Sequence, residues 1–142
     1  MIEKIGSPFV SEKKVVTPVL ESEEIVSFRR ETTSTLNKLP TNQVISKNPD
    51  NDFHTAPPEL MEASAPLGRI LDAMKRNPAL VTVGMEFYKT CASNTDLLIQ
   101  IRAVCLRSFR DWSEKTNSEI TLNGLPYEIE QLASYLPKTR TY

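Results

Sequence analysis

The sequence predicts an all-α protein: a small bundle of four to five helices at the C-terminus, preceded by a largely disordered N-terminal tail. Two observations lead to this prediction. Residues 1–55 keep neither the helical nor the strand period of apolar residues, whereas residues 56–137 keep the helical period between breaks marked by proline and glycine. The length of 142 residues suits one domain. We therefore expect a flexible polar tail over 1–55, a compact helical domain over 56–137 and a short basic C-terminal tail over 138–142.

The tail prediction depends on how sparse the apolar residues are before residue 56. They come as isolated pairs among Ser, Thr, Lys and Glu, and such a segment cannot offset an ordering cost of about 1–2 kcal/mol per residue. A short strand or hairpin over 14–28 is the alternative, because β-branched residues are concentrated there. One stretch alternates apolar pairs with acidic residues, and it is either a solvated charge run or a short partner-binding motif. The motif would use Val19, Leu20, Ile25 and Val26.

Each predicted helix of the domain begins at a cap or a proline. Pro57 and Pro58 suit the first turn of a helix, because that turn does not use the N–H that proline lacks. Asn77 and Pro78 repeat the pattern before a helix that runs to about Cys91. Apolar residues then follow at helical spacing: Leu67, Ile70, Leu71 and Met74 in the first helix, and Leu125, Ile129, Leu132 and Leu136 in the last.

A glycine lies at the centre of the apolar face of the 78–91 helix. Glycine inside a helix costs about 0.5–1 kcal/mol relative to alanine. Close approach of another backbone at Gly84 would offset that cost, so we expect a packing position there.

The segment 96–115 is the longest predicted helix and is apolar on two sides. Its main stripe runs from Leu97 to Trp112, while Ile99 and Leu106 lie nearly opposite. Such a helix is either central in its bundle, contacted from both sides, or reserves one side for a partner. The second interpretation makes Ile99 and Leu106 a dimerisation or partner seam. Arginine borders apolar contact surfaces often, and this stripe is bordered by Arg102, Arg107 and Arg110.

No catalytic or metal-binding pattern is present in the sequence. His54 is the single histidine, and the four glycines cannot build a phosphate-binding loop. Cys91 and Cys105 fall on apolar stripes, so we expect buried, reduced thiols. We therefore predict a protein that is not an enzyme, with no cofactor and no metal. Without a signal peptide or membrane span in the sequence, we expect an intracellular protein, cytoplasmic or nuclear.

These observations favour a non-enzymatic adaptor or regulatory protein. In this hypothesis the helical domain binds a protein partner or forms a homo-oligomer, and the tail presents short linear motifs. The alternative is a nucleic-acid-associated protein, such as a viral or regulatory cofactor, that uses a patch of Arg102, Arg107 and Arg110. The formal net charge of −1 gives that alternative no global support.

Overall fold

The described residues of the computed structural model are 22–42, 58–118 and 121–141, and they are helical. Five α-helices occur there: α1 Glu23–Lys38, α2 Pro58–Arg76, α3 Val81–Ser93, α4 Ile99–Thr116 and α5 Tyr127–Tyr135. A 3-10 turn, Pro78–Leu80, precedes α3. No strand occurs in these ranges, only an isolated bridge between Thr41 and Leu97. The prediction of an all-α helical bundle is confirmed.

Helices α3 and α4 form the centre of the bundle. Ala92 lies beside Arg102, and Tyr88 lies beside Ser108, so the two helices run antiparallel. Helix α5 packs on α4, and α1 and α2 pack on α3. The largest fully buried side chains come from α2, α3, α4 and α5, and from Leu98 just before α4. They include Ile70, Cys91, Leu106, Trp112 and Ile129. Burying one such side chain contributes about 1.5–3 kcal/mol, so the fold depends mainly on this shared core.

The helix ends follow the polar signals of the sequence. The Ser22 hydroxyl accepts a hydrogen bond from the Ile25 N–H at 3.2 Å and caps α1. Asn77 caps the 3-10 turn by accepting from the Ala79 N–H at 3.0 Å. Helix α4 ends at Asn117, which has φ of 57° and satisfies the last carbonyls of the helix. Polar residues therefore mark these three ends, and the cap at Asn77 is the one that the sequence predicts for 77–78.

Helix α1 corrects the predicted extent of the tail. Phe28, only 3% exposed, is buried together with Thr32 and Thr35 on one side of α1. Beyond the helix, the Leu98 N–H donates to the Pro40 carbonyl at 3.0 Å, which ties residues 39–42 to the start of α4. Residues 22–42 therefore belong to the folded part, and 23–28 are helical, not extended. The rest of the predicted tail, 1–21 and 43–55, lies outside the described residues.

The predicted basic C-terminal tail also needs correction. Residues 138–141 lie against α4, and Thr141 is 6% exposed. Hydrogen bonds and an ion pair hold this segment, as described below. No helix in the described ranges is long and apolar enough to cross a membrane.

Candidate functional site

The second apolar stripe of α4 is part of the core. Leu106 is 0% exposed, and Ile99 is half-buried and packs against the core. Helix α4 has α3 on one side and α5 on another, so its two apolar sides are explained by a central position. The predicted partner seam of Ile99 and Leu106 is therefore wrong as an exposed surface, because Leu106 has no accessible area to offer a partner.

The three arginines beside that stripe do not form one patch. Arg102 is 6% exposed, and its Nε donates to the Ala92 carbonyl at 2.9 Å. A cation at the C-terminal end of α3 is favourable for the helix dipole. Burial lowers the pKa of Arg102. Arg102 therefore stabilises the end of α3 and cannot bind phosphate as predicted.

Arg107 and Arg110 are each paired with a carboxylate. The Nε of Arg107 lies 3.2 Å from Asp111 Oδ2, without the geometry of a hydrogen bond. Arg110 binds Glu130 through two contacts, of 2.8 and 2.9 Å, and so connects α4 to α5. A phosphate would have to compete with these carboxylates, and nothing in this arrangement favours nucleic-acid binding.

The predicted tail motif is divided by the fold. Ile25 packs against the core from α1, while Val26 is 37% exposed. Val19 and Leu20 lie outside the described residues. Ile25 is therefore not available to a partner while α1 is packed.

A buried polar contact line crosses from α3 through α4 to the end of the chain. The Tyr88 hydroxyl lies beside Ser108, and Ser108 Oγ lies 3.3 Å from Thr139 Oγ1. Burial, with a smaller contribution from Cys105, raises the pKa of Tyr88 far above its usual range. A hydrogen bond with Cys91, together with burial, raises the pKa of the Cys105 thiol well above its usual value. At neutral pH both groups therefore stay protonated and uncharged.

Residues 137–141, which we call the strap, end this contact line on the surface of α4. The Thr139 N–H donates to Asp111 Oδ2 at 2.6 Å, and Lys115 Nζ donates to the Thr141 carbonyl at 2.8 Å. Lys138 Nζ lies 3.0 Å from Glu114 Oε1, and this contact raises the pKa of Lys138. Three residues on two adjacent turns of α4 therefore hold the strap through its backbone and one side chain.

The outer face of α5 is the largest exposed aromatic feature among the described residues. Ile129 and Ala133 are buried, whereas Tyr127 and Tyr135 are 75% and 76% exposed. Tyr135 lies eight positions after Tyr127, which places the two about 12 Å apart along the helix and about 80° apart around it. The sequence analysis missed them, although both tyrosines fall off the apolar stripe that the sequence assigned to this helix.

The chain matches no protein-family model, no curated protein and no solved structure in the three comparisons made. In the described residues, no group of three or more His, Cys, Asp or Glu side chains is placed to hold a metal ion. The candidate surfaces are therefore the outer face of α5 and the strap with the part of α4 beneath it.

Proposed function

We propose that this chain is a non-enzymatic protein-interaction domain and that the outer face of α5 is its contact surface. The observation that carries the proposal is the exposure of Tyr127 and Tyr135 on a helix whose other side is anchored to α4. Tyrosine is enriched in protein interfaces because its ring supplies apolar area and its hydroxyl supplies a hydrogen bond. An exposed tyrosine held on a packed helix is also already ordered, so binding costs less conformational entropy.

The face is self-complementary, which favours a second copy of the chain as the partner. Gln131 lies midway between the two tyrosines and is exposed. A two-fold axis at Gln131 places Tyr127 of one copy near Tyr135 of the other, and Glu128 near Ser134. No like charges meet in this pairing. Helix α5 has nine residues, so the contact is small and the dimer is weak and concentration-dependent.

The test compares the full chain with a double variant, Tyr127→Ala and Tyr135→Ala. Sedimentation velocity over a wide range of concentrations measures self-association, and circular dichroism confirms that helix content is kept. Met61→Ala is the matched control, since Met61 is also a large, exposed apolar side chain but lies on α2. We expect the wild type and the control to dimerise at high concentration and the double variant to stay monomeric.

A monomeric wild type at every concentration would reject self-association. Cross-linking in cell extract then tests whether α5 binds another protein. The proteins that become cross-linked to the wild type and to Met61→Ala are compared with those cross-linked to the double variant. If the three sets are the same, α5 is not the contact surface.

A further inference from the structure

We propose that the part of α4 beneath the strap is a binding site for extended peptides of the pattern Lys-Thr-x-Thr, and that the strap is its built-in occupant. This site is separate from the outer face of α5, so it adds a second interaction surface to the protein. The partner is a segment of another protein that carries this pattern, and it binds when the strap is displaced.

The backbone contacts are those of peptide recognition. Asp111, 5% exposed, accepts the Thr139 N–H, and Lys115 donates to the Thr141 carbonyl two residues later. One acceptor and one donor on α4 therefore form hydrogen bonds with an N–H and a C=O of the same short segment. Lys115 Nζ also lies 5.8 Å from the centre of the Trp112 ring, which helps to hold the donor in position.

The side chains of the strap alternate in burial, as in a bound extended peptide. Thr139 is half-buried and Thr141 is 6% exposed, whereas Lys138 and Arg140 are exposed. The two threonines therefore face α4, and Thr139 meets the Ser108 hydroxyl. The exposed lysine pairs with Glu114, which selects a basic residue before the first threonine. Arg140 is exposed, so its position in the pattern is left open and written x.

The strap is held mainly by polar contacts. A peptide from another chain that carries the same groups can make the same contacts and replace the strap. A cavity of about 450 Å³ lies beside it, bordered by both α4 and the strap. An intramolecular segment on a short connection competes at an effective concentration of about millimolar, so it lowers the affinity for a peptide without abolishing it.

The test uses the full chain with Thr139→Pro. This change removes the N–H that donates to Asp111, and it still allows the preceding residue, Lys138, to keep an extended backbone. A fluorescent peptide with the sequence of residues 137–141 and neutral ends is the probe, and fluorescence anisotropy measures its binding. We expect the variant to bind the peptide about tenfold more tightly than the wild type does, since its own strap competes less. A control peptide that carries the same Thr139→Pro change should not bind.

Adding Asp111→Ala to the variant should remove binding of the unmodified peptide. The proposal is overturned if the Thr139→Pro chain keeps its helix content but does not bind the peptide, or if both peptides bind equally. A second measurement covers the case in which the variant does not fold. Excess peptide added to the wild-type chain should speed amide exchange at Thr139, and an unchanged exchange rate there would also overturn the proposal.

Discussion

Replacing Gly84 with alanine should destabilise the protein, although helix propensity alone predicts the opposite. A Cβ built on Gly84 would overlap the Met74 side chain at its Sδ, Cε and Cγ atoms. Met74 is itself buried, so it cannot simply swing into solvent. Forcing an extra carbon into a packed core costs about 1–3 kcal/mol, while removing a helical glycine gains about 0.5–1 kcal/mol. The expected net loss is about 0.5–2 kcal/mol of unfolding free energy.

Gly68→Ala is the matched control for this prediction. Gly68 also lies inside a helix, but nothing approaches within 4 Å of a Cβ built on it. This change should stabilise the protein by about 0.5–1 kcal/mol, largely by restricting the unfolded chain. The two alanine variants should therefore shift the urea midpoint in opposite directions with the same slope.

A double-mutant cycle locates the cause of the effect at Gly84. Met74→Ala alone leaves a cavity and should cost about 2–5 kcal/mol. In the Gly84→Ala background the same change relieves the overlap, so its cost should be smaller by about 1–2 kcal/mol. If Gly84→Ala stabilises the protein as much as Gly68→Ala does, or if the cycle gives no coupling, the packing argument is refuted.

Three further predictions concern the core, the end of α3 and the buried thiol. Phe28→Ala should lower the free energy of unfolding in urea by about 3–5 kcal/mol. Thr33→Ala, at an exposed position of the same helix, should change it little. Equal effects would mean that α1 is not part of the cooperative fold. Arg102→Met should lower the free energy of unfolding by about 1.5–3 kcal/mol, because it removes a charged hydrogen bond to the end of α3. Arg110→Met breaks a more exposed ion pair and should lower it by at most about 1 kcal/mol. The pKa of the Cys105 thiol is raised in the folded state, whereas in the unfolded chain it has its usual value near 9.0. The free energy of unfolding should therefore be constant well below pH 9.0 and fall as the pH rises through that value. The loss should be at most about 1.4 kcal/mol per pH unit. Cys105→Ala should reduce this alkaline loss, and an unchanged pH profile between pH 8 and 10 would contradict the assignment.

The helical fold after residue 56 could be predicted because its signals are local. The cap and proline at 77–78 and the four-residue spacing of the last stripe both depend on neighbours within a few residues. The same reasoning missed α1. Its buried side uses Thr32 and Thr35, whose hydroxyls lower the apparent hydrophobicity of the segment, and the Thr32 hydroxyl donates to the Arg29 carbonyl within the helix. A pattern search that counts threonine as polar does not find such a helix.

The candidate surfaces were harder to predict because they depend on contacts between distant residues. Asp111 and Thr139 are 28 residues apart, and the contact is made by a backbone N–H that every residue except proline carries. The seam at Ile99 and Leu106 failed for a related reason. Two apolar sides on one helix indicate two contacts, but the sequence does not show that α5 supplies the second one.

Helix α4 supports both proposed surfaces from adjacent residues, which makes them separable by mutation. Arg110 fixes α5 through Glu130, and its neighbour Asp111 fixes the strap through Thr139. Adjacent residues on a helix point about 100° apart, so each side chain serves a different neighbour. Asp111→Ala should therefore weaken the strap and leave self-association through α5 intact, whereas Arg110→Ala should loosen α5 and spare peptide binding. If either change impaired both activities, α4 would be coupling the two surfaces, and they could not be treated as independent sites.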